Sequence, residues 1–171
     1  MLVRNYRCHP KLLDVPNRLF YDGKLLPFAD IPTVSTLLDW EHLPAKMPLL
    51  FHGVVGKDVQ EESSPSWFNV EEAVQVVKYV GLLLGNRGRI RVTEADIGII
   101  SPYHKQVQKI KQALKKLPSA NSDAITVGST EQFQGQERRI IIISTVRSNH
   151  NFLKVSSHVP LYVLGLAADN A

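Results

Sequence analysis

At 171 residues, with 44% hydrophobic and 21% charged content, the chain has the make-up of one soluble globular domain able to bury roughly 70% of its unfolded surface. Twenty basic against sixteen acidic residues leave a formal charge of +4, a mild tilt toward polyanionic partners. The single cysteine, Cys8, excludes an internal disulfide. No apolar run reaches the ~18 residues of a membrane span, and Arg4 and Arg7 lack the apolar core of a secretory signal behind them, so a cytosolic or nuclear protein with no membrane partner is expected.

In chain order, residues 2–9 read as a short strand or its exit. Pro10 suits the first turn of a helix that would carry Leu12, Leu13 and Phe20 inward, with Pro16 shortening or bending it. Residues 22–48 hold Gly23, Pro27, Pro32, Pro44 and Pro48 and read as an irregular connector. Leu49 to Val54 is a strand candidate, and Gly56 to Pro65 reads as an acidic, flexible stretch. Asn69 with Glu72 three residues on is close to a capping box. Behind it Ala73, Val76, Val77, Val80, Leu83 and Leu84 recur at helical spacing until Gly85 and Gly88. Ile97–Ile100 is a continuous apolar strand ending at Ser101-Pro102-Tyr103. The next helix puts Val107, Ile110, Leu114 and Leu117 on one face and Lys105, Lys109, Gln112 and Lys116 on the other. Strands over Ile125–Val127 and Ile140–Val146 complete the set. Unalternated β-branched strands interleaved with amphipathic helices predict an α/β fold, a parallel sheet flanked by helices.

The polar turn Gly128-Ser129-Thr130-Glu131-Gln132-Phe133-Gln134-Gly135-Gln136-Glu137, between two buried strands, is the most informative segment. Its glycines let backbone approach a ligand, and its hydroxyls, amides and carboxylate suit a sugar or phosphate chain. A plain strand–turn–strand link with surface polar groups is the alternative. Ligands gather at the carboxyl ends of strands in such sheets. Asn5-Tyr6-Arg7, Ser101-Pro102-Tyr103 and Ser129-Thr130 leading to Glu137 are therefore expected to form one working edge.

Three segments carry a family resemblance. Asn5-Tyr6-Arg7-Cys8-His9-Pro10 resembles the Tyr-Arg-x-His-Pro motif of superfamily 1 helicases. Gly98-Ile99-Ile100-Ser101-Pro102-Tyr103 with Gln106 resembles the next motif of that group. The segment 128–137, with Ser144-Thr145-Val146-Arg147-Ser148 behind it, resembles their motif V region. The order is the family's, and the likeness covers residues 2 to about 150. It is strongest to the up-frameshift-type RNA helicases, particularly the Armitage and Moloney-leukaemia-virus-ten-like branch linked to RNA silencing.

The resemblance implies a second RecA-like domain over residues 1–150, without a phosphate loop of its own, and a divergent tail over 151–171. Arg7 would reach the γ-phosphate of ATP, Tyr6 would pack beside the adenine or ribose, and Glu137 would accept from a ribose hydroxyl with Gly135 giving access. Ser101, Pro102, Tyr103, Ser129 and Thr130 would face single-stranded RNA. His9 reads as structural. No Gly-x-x-x-x-Gly-Lys-Ser/Thr loop and no acidic pair for a metal occur, so the magnesium ligands are expected from the first RecA-like module, the implied intramolecular partner. The family's final motif, with its further arginine, has no counterpart: no arginine follows Arg147. The apolar stretch Val159 to Ala168 would supply a strand or lie loose. The implied activity is that of an ATP-dependent RNA helicase in the cytoplasm, with silencing-complex proteins as further partners. The chain alone would be inactive, and an RNA-binding or protein-interaction fragment without catalysis is the alternative.

Overall fold

The computed structural model describes residues 2–44, 47–62, 64–86, 88, 91–118 and 120–147, and the backbone of 164–166. The elements run β1 (Arg4–Asn5), α1 (Pro10–Phe20), β2 (Leu26–Pro27), α2 (Ile31–Val34), β3 (Asp58–Gln60), β4 (Trp67–Asn69), α3 (Val70–Leu84), β5 (Ile97–Ile100), α4 (His104–Leu114), β6 (Thr126–Gly128), β7 (Ile140–Ile143) and β8 (Leu164–Leu166). The main sheet has the order β6-β5-β7-β8, with the first three strands parallel and β8 antiparallel on β7. This is the α/β, RecA-like arrangement that the apolar strands and intervening helices predict. Of the tail stretch Val159 to Ala168, only 164–166 lies within the described residues, and it supplies β8. Ser148 lies outside them.

The sheet forms where side chains have no polar alternative. Ile97, Ile99, Ile140 and Ile142 are fully or almost fully buried and meet Val76, Val80 and Leu83 of α3 and Ile110 and Leu114 of α4 in one core. Each such side chain contributes roughly 1.5–3 kcal/mol by leaving water. Asn69 starts α3 by accepting from the Glu72 amide at 3.1 Å, and Gly85 ends it. β5, α4 and β6 form one crossover unit. The return from β6 to β7 must then pass over β5, and Gly98 makes room for it. A Cβ on Gly98 would stand 2.8 Å from the Phe133 ring and 3.0 Å from Arg138 Cγ.

Several expectations need correcting. Residues 4–5 do not join the main sheet; β1 pairs with β2 in a separate two-stranded parallel sheet, Arg4 opposite Leu26. Phe20 is 72% exposed, because the inward position one turn beyond Leu13 belongs to Asn17, which exchanges hydrogen bonds with the backbone of Leu25 at 2.8 and 3.1 Å. Pro16 sits inside α1 without ending it. The connector 22–48 is more than a link: Leu37, Trp40 and Leu43 are part of the main core, and Asp30 caps α2. Finally, 49–54 carries no strand. The strand pair is the hairpin β3–β4 within the supposedly flexible acidic region, Val59 opposite Phe68.

Candidate functional site

After β1 the side chain of Asn5 turns the chain, its Oδ1 accepting from the amides of Arg7 at 3.0 Å and Cys8 at 2.9 Å. His9 then caps α1, its Nδ1 accepting from the Lys11 amide at 3.2 Å, which is the structural role expected for it. Arg7 is thus presented from a tight turn locked on both sides.

The Arg7 guanidinium forms an ion pair through Nε with Oε2 of Glu137; the side chains are 56% and 24% exposed. Glu137 is more than a solvated carboxylate neutralised by the next two arginines. Arg138 turns to Thr126 Oγ1 (2.9 and 3.2 Å), and Arg139 to Thr36 Oγ1 (2.8 and 3.1 Å) and Asp96 (3.6 Å). Glu137 Oε2 is itself buried, and the group that meets it is Arg7 Nε. Arg7 is more than half exposed, and an ion pair with one partner in solvent is worth about 0–1 kcal/mol. Nearby Gly135 is exposed, has φ +79, and has open space where a Cβ would stand. Tyr6 is half exposed and its ring lies 5.5 Å from that of Phe28. Sequence reading missed Phe28, since only the β1–β2 pairing brings it here: its amide donates to Asn5 O at 2.6 Å. Burial pushes the Cys8 thiol above its ordinary value, against the pull of the Asn5 hydrogen bond and of Arg7.

The second group stands elsewhere. Ser101-Pro102-Tyr103 and Ser129-Thr130 follow the carboxyl ends of β5 and β6. The span from Ser129 to Glu137 then returns to the amino end of β7, where Arg138 meets the first residue of β6. The single working edge is therefore corrected to two borders, because a parallel strand must be entered at its opposite end. Ser101 is fully buried, its Oγ accepting from the Tyr103 amide at 3.4 Å and its amide bonding Gly128 O at 3.1 Å. Its hydroxyl is directed inward and sets the turn. Pro102 and Thr130 are exposed and Tyr103 is half-buried at the start of α4. Ser129 exchanges bonds with Gln132. Thr130 donates to Glu131, whose carboxyl is held below the usual range first by the Ser129 hydroxyl. That exposed negative charge opposes a phosphate at Thr130.

A buried polar network supports this border, and spacing alone pointed the wrong way. Glu72, read as the return arm of a capping box, sends Oε2 to Ser144 Oγ (2.6 Å) and the Val146 amide (2.9 Å). Gln106 fills the Asn69 backbone amide instead, at 2.9 Å, and donates to Asn69 O (3.0 Å) and Ser144 Oγ (2.9 Å). Glu72, Gln106 and Ser144 are all buried. Val146 is held at φ +66, a left-handed conformation rare for a β-branched residue. Arg147 lies 4.2 Å over the Trp67 ring and bonds Asp58 at 3.2 Å, so the hairpin β3–β4 fixes it.

His9 gives a pH test. Burial, with Lys11 adding to it, holds its imidazole below the ordinary 6.5. The folded value lies below the unfolded one, so the cap's contribution is complete above about pH 6.5 and lost as pH falls through the folded value. Urea unfolding at about pH 7.5 and about pH 5 should show His9→Asn, an acceptor that does not titrate, losing less stability on acidification than the parent chain. Equal acid loss in both proteins would refute the capping role.

Among the described residues no three His, Cys, Asp or Glu side chains gather to hold a metal, and no helix is long and apolar enough to cross a membrane. The profile of the AAA domain family matches residues 1–170. The chain is 49% identical over 156 residues to "Putative helicase mov-10-B.1" of Danio rerio, covering 86% of the chain and 15% of that protein. It is 52% identical over 151 residues to "RNA helicase Mov10l1" of Homo sapiens, covering 88% and 12%. With "Probable RNA helicase armi" of Drosophila melanogaster the identity is 35% over 172 residues, covering 94% and 14%. The chain thus spans less than a sixth of the length of these three relatives.

Proposed function

The chain belongs to the AAA domain family, in the up-frameshift-type helicases of the Armitage and Moloney-leukaemia-virus-ten-like branch, and on that premise we propose that it is the second RecA-like module of an ATP-dependent RNA helicase. The observation that carries this reading is the Arg7–Glu137 pair beside an exposed aromatic pair and the open backbone at Gly135.

ATP, when bound, supplies the phosphoryl group transferred to water. The residues here fit its outer parts. Arg7 leaves Glu137 and gives its fork to γ-phosphate oxygens. Glu137, once Arg7 has left it, accepts a ribose hydroxyl. Tyr6, with Phe28, offers an aromatic face to the base. The same residues do not fit magnesium: an octahedral oxygen set is needed, and the Glu137 carboxylate is held by a guanidinium. Its ligands belong to the first RecA-like module in this proposal, and no step here runs through the metal.

Tyr103 and Pro102 meet single-stranded RNA at the opposite border, with Ser101 shaping the turn from within; Ser129 and Thr130 would join them only by releasing Glu131. No residue there reads a 2′-hydroxyl, so the choice of RNA over DNA rests on the branch. So do a cytoplasmic role in RNA silencing and silencing-complex partners. Closure of the two modules on ATP would shift the RNA-facing turns by its differential affinity for the closed state.

The purified chain should bind a 12-nucleotide RNA in fluorescence anisotropy at roughly 50 mM salt and release most of it at roughly 200 mM. Tyr103→Ala should weaken it by ~1–3 kcal/mol. No binding at low salt ends the strand-contact assignment. The chain alone should release no phosphate from ATP, and RNA-stimulated turnover that persists through further purification would overturn the division of labour between modules.

A further inference from the structure

We propose that the groove between α3 and α4 is a docking site for an acidic amphipathic helix of a protein partner. The groove encloses about 350 Å³ and shares no residue with the nucleotide or strand-end groups. Its α3 wall is Val70, Val74 and Val77, its α4 side is Ala113, and Lys109 and Lys116 stand on the rim. Val70 is 49% and Val74 62% exposed, although both lie on a helix whose inner face is fully packed. Apolar residues at i, i+4 and i+7 make a ridge about 10 Å long, the spacing at which a second helix interdigitates. An extended peptide would find no free backbone partners between two helices and would leave its own amides unpaired.

The charge of the occupant is indicated by the chain itself. Glu61, from the hairpin loop, bridges Lys105 (2.5 Å) and Lys109 (2.9 Å) on α4, and Lys109 also lies 4.6 Å over the Phe68 ring. The Lys105 bond first, then that to Lys109, holds the Glu61 carboxyl below its usual range. One end of the basic stripe is therefore already matched by a carboxylate. The stripe continues to exposed Lys116 along an apolar floor, where a partner's acidic residues complete the pattern. Nucleic acid fits less well, because phosphates gain nothing from the exposed valines.

The probe is a fluorescein-labelled 15-residue helical peptide with leucines at i, i+3, i+4 and i+7 flanked by glutamates, titrated against the 171-residue chain beside its scrambled form. Binding is expected for the helical order alone, weakened about tenfold by Val74→Glu and by Lys116→Glu. Lysine in place of the peptide's facing glutamate should restore affinity to the Lys116→Glu chain. Both positions are exposed, and circular dichroism checks that the variants fold. Equal binding of the scrambled peptide, or indifference to both substitutions, overturns the proposal. A 12-nucleotide RNA that binds the stripe with sensitivity to Lys116→Glu but not Val74→Glu also overturns it, in favour of a phosphate track. Neither result bears on the Arg7–Glu137 reading.

Discussion

Arg7→Ala is expected to lower RNA-stimulated ATP turnover by ~10³-fold when the chain is joined to a phosphate-loop module, the low end for an arginine acting on a transferring phosphoryl group. The loss should fall on kcat, since the guanidinium meets charge that develops in the transition state. Arg7→Lys should recover little, because a single ammonium lacks the planar fork. Glu137→Ala should act differently. A carboxylate accepting from ribose holds ground state and transition state alike, so KM for ATP should rise by roughly ten- to a hundred-fold with kcat nearly kept. Because the two side chains contact each other before nucleotide arrives, the double variant should fall short of the product of the two effects. Steady-state kinetics on the four proteins decide it. Unchanged kcat in Arg7→Ala, with RNA affinity intact, would remove this residue from the chemistry.

Glu72→Ala should be the most destabilising single change away from the apolar core. It strips the shared acceptor from the Ser144 hydroxyl and the Val146 amide, both enclosed, and each abandoned donor costs about 1–3 kcal/mol. A total of about 2–6 kcal/mol is a large part of the ~5–15 kcal/mol that holds a domain of this size together. Glu72→Gln keeps an oxygen in the same place and should cost only about 1 kcal/mol. Urea unfolding of the two variants separates the cases. Equal stability in both would mean that the network has little energetic weight.

The sheet was legible because the apolar runs Ile97–Ile100 and Ile140–Ile143 favour burial, α3 because apolar spacing and a capping Asn69 agree, and α4 because of its apolar spacing alone. The hairpin β3–β4 was hidden because the one apolar residue of Asp58-Val59-Gln60, Val59, is exposed, so the strand carries no apolar face. Phe28 joined Tyr6 through a two-residue strand pairing that no periodicity announces. Glu72 shows how a local rule misleads. A carboxylate three residues after a capping Asn is the usual sign of a reciprocal cap, yet a long-range demand from Ser144 and Val146 took it, and Gln106 filled the vacated place. Separating Arg7–Glu137 from Ser129–Thr130 required the strand directions, which motif order does not contain.

Phe133 is lodged over β5 midway along the span that begins at Ser129 and ends at Glu137, in space that exists only because residue 98 is glycine. Gly98→Ala would bring a methyl group against the Phe133 ring, the Ile141 side chain and Arg138 at once, so the span from Ser129 to Glu137 would have to shift while the residues at its two ends stay unchanged.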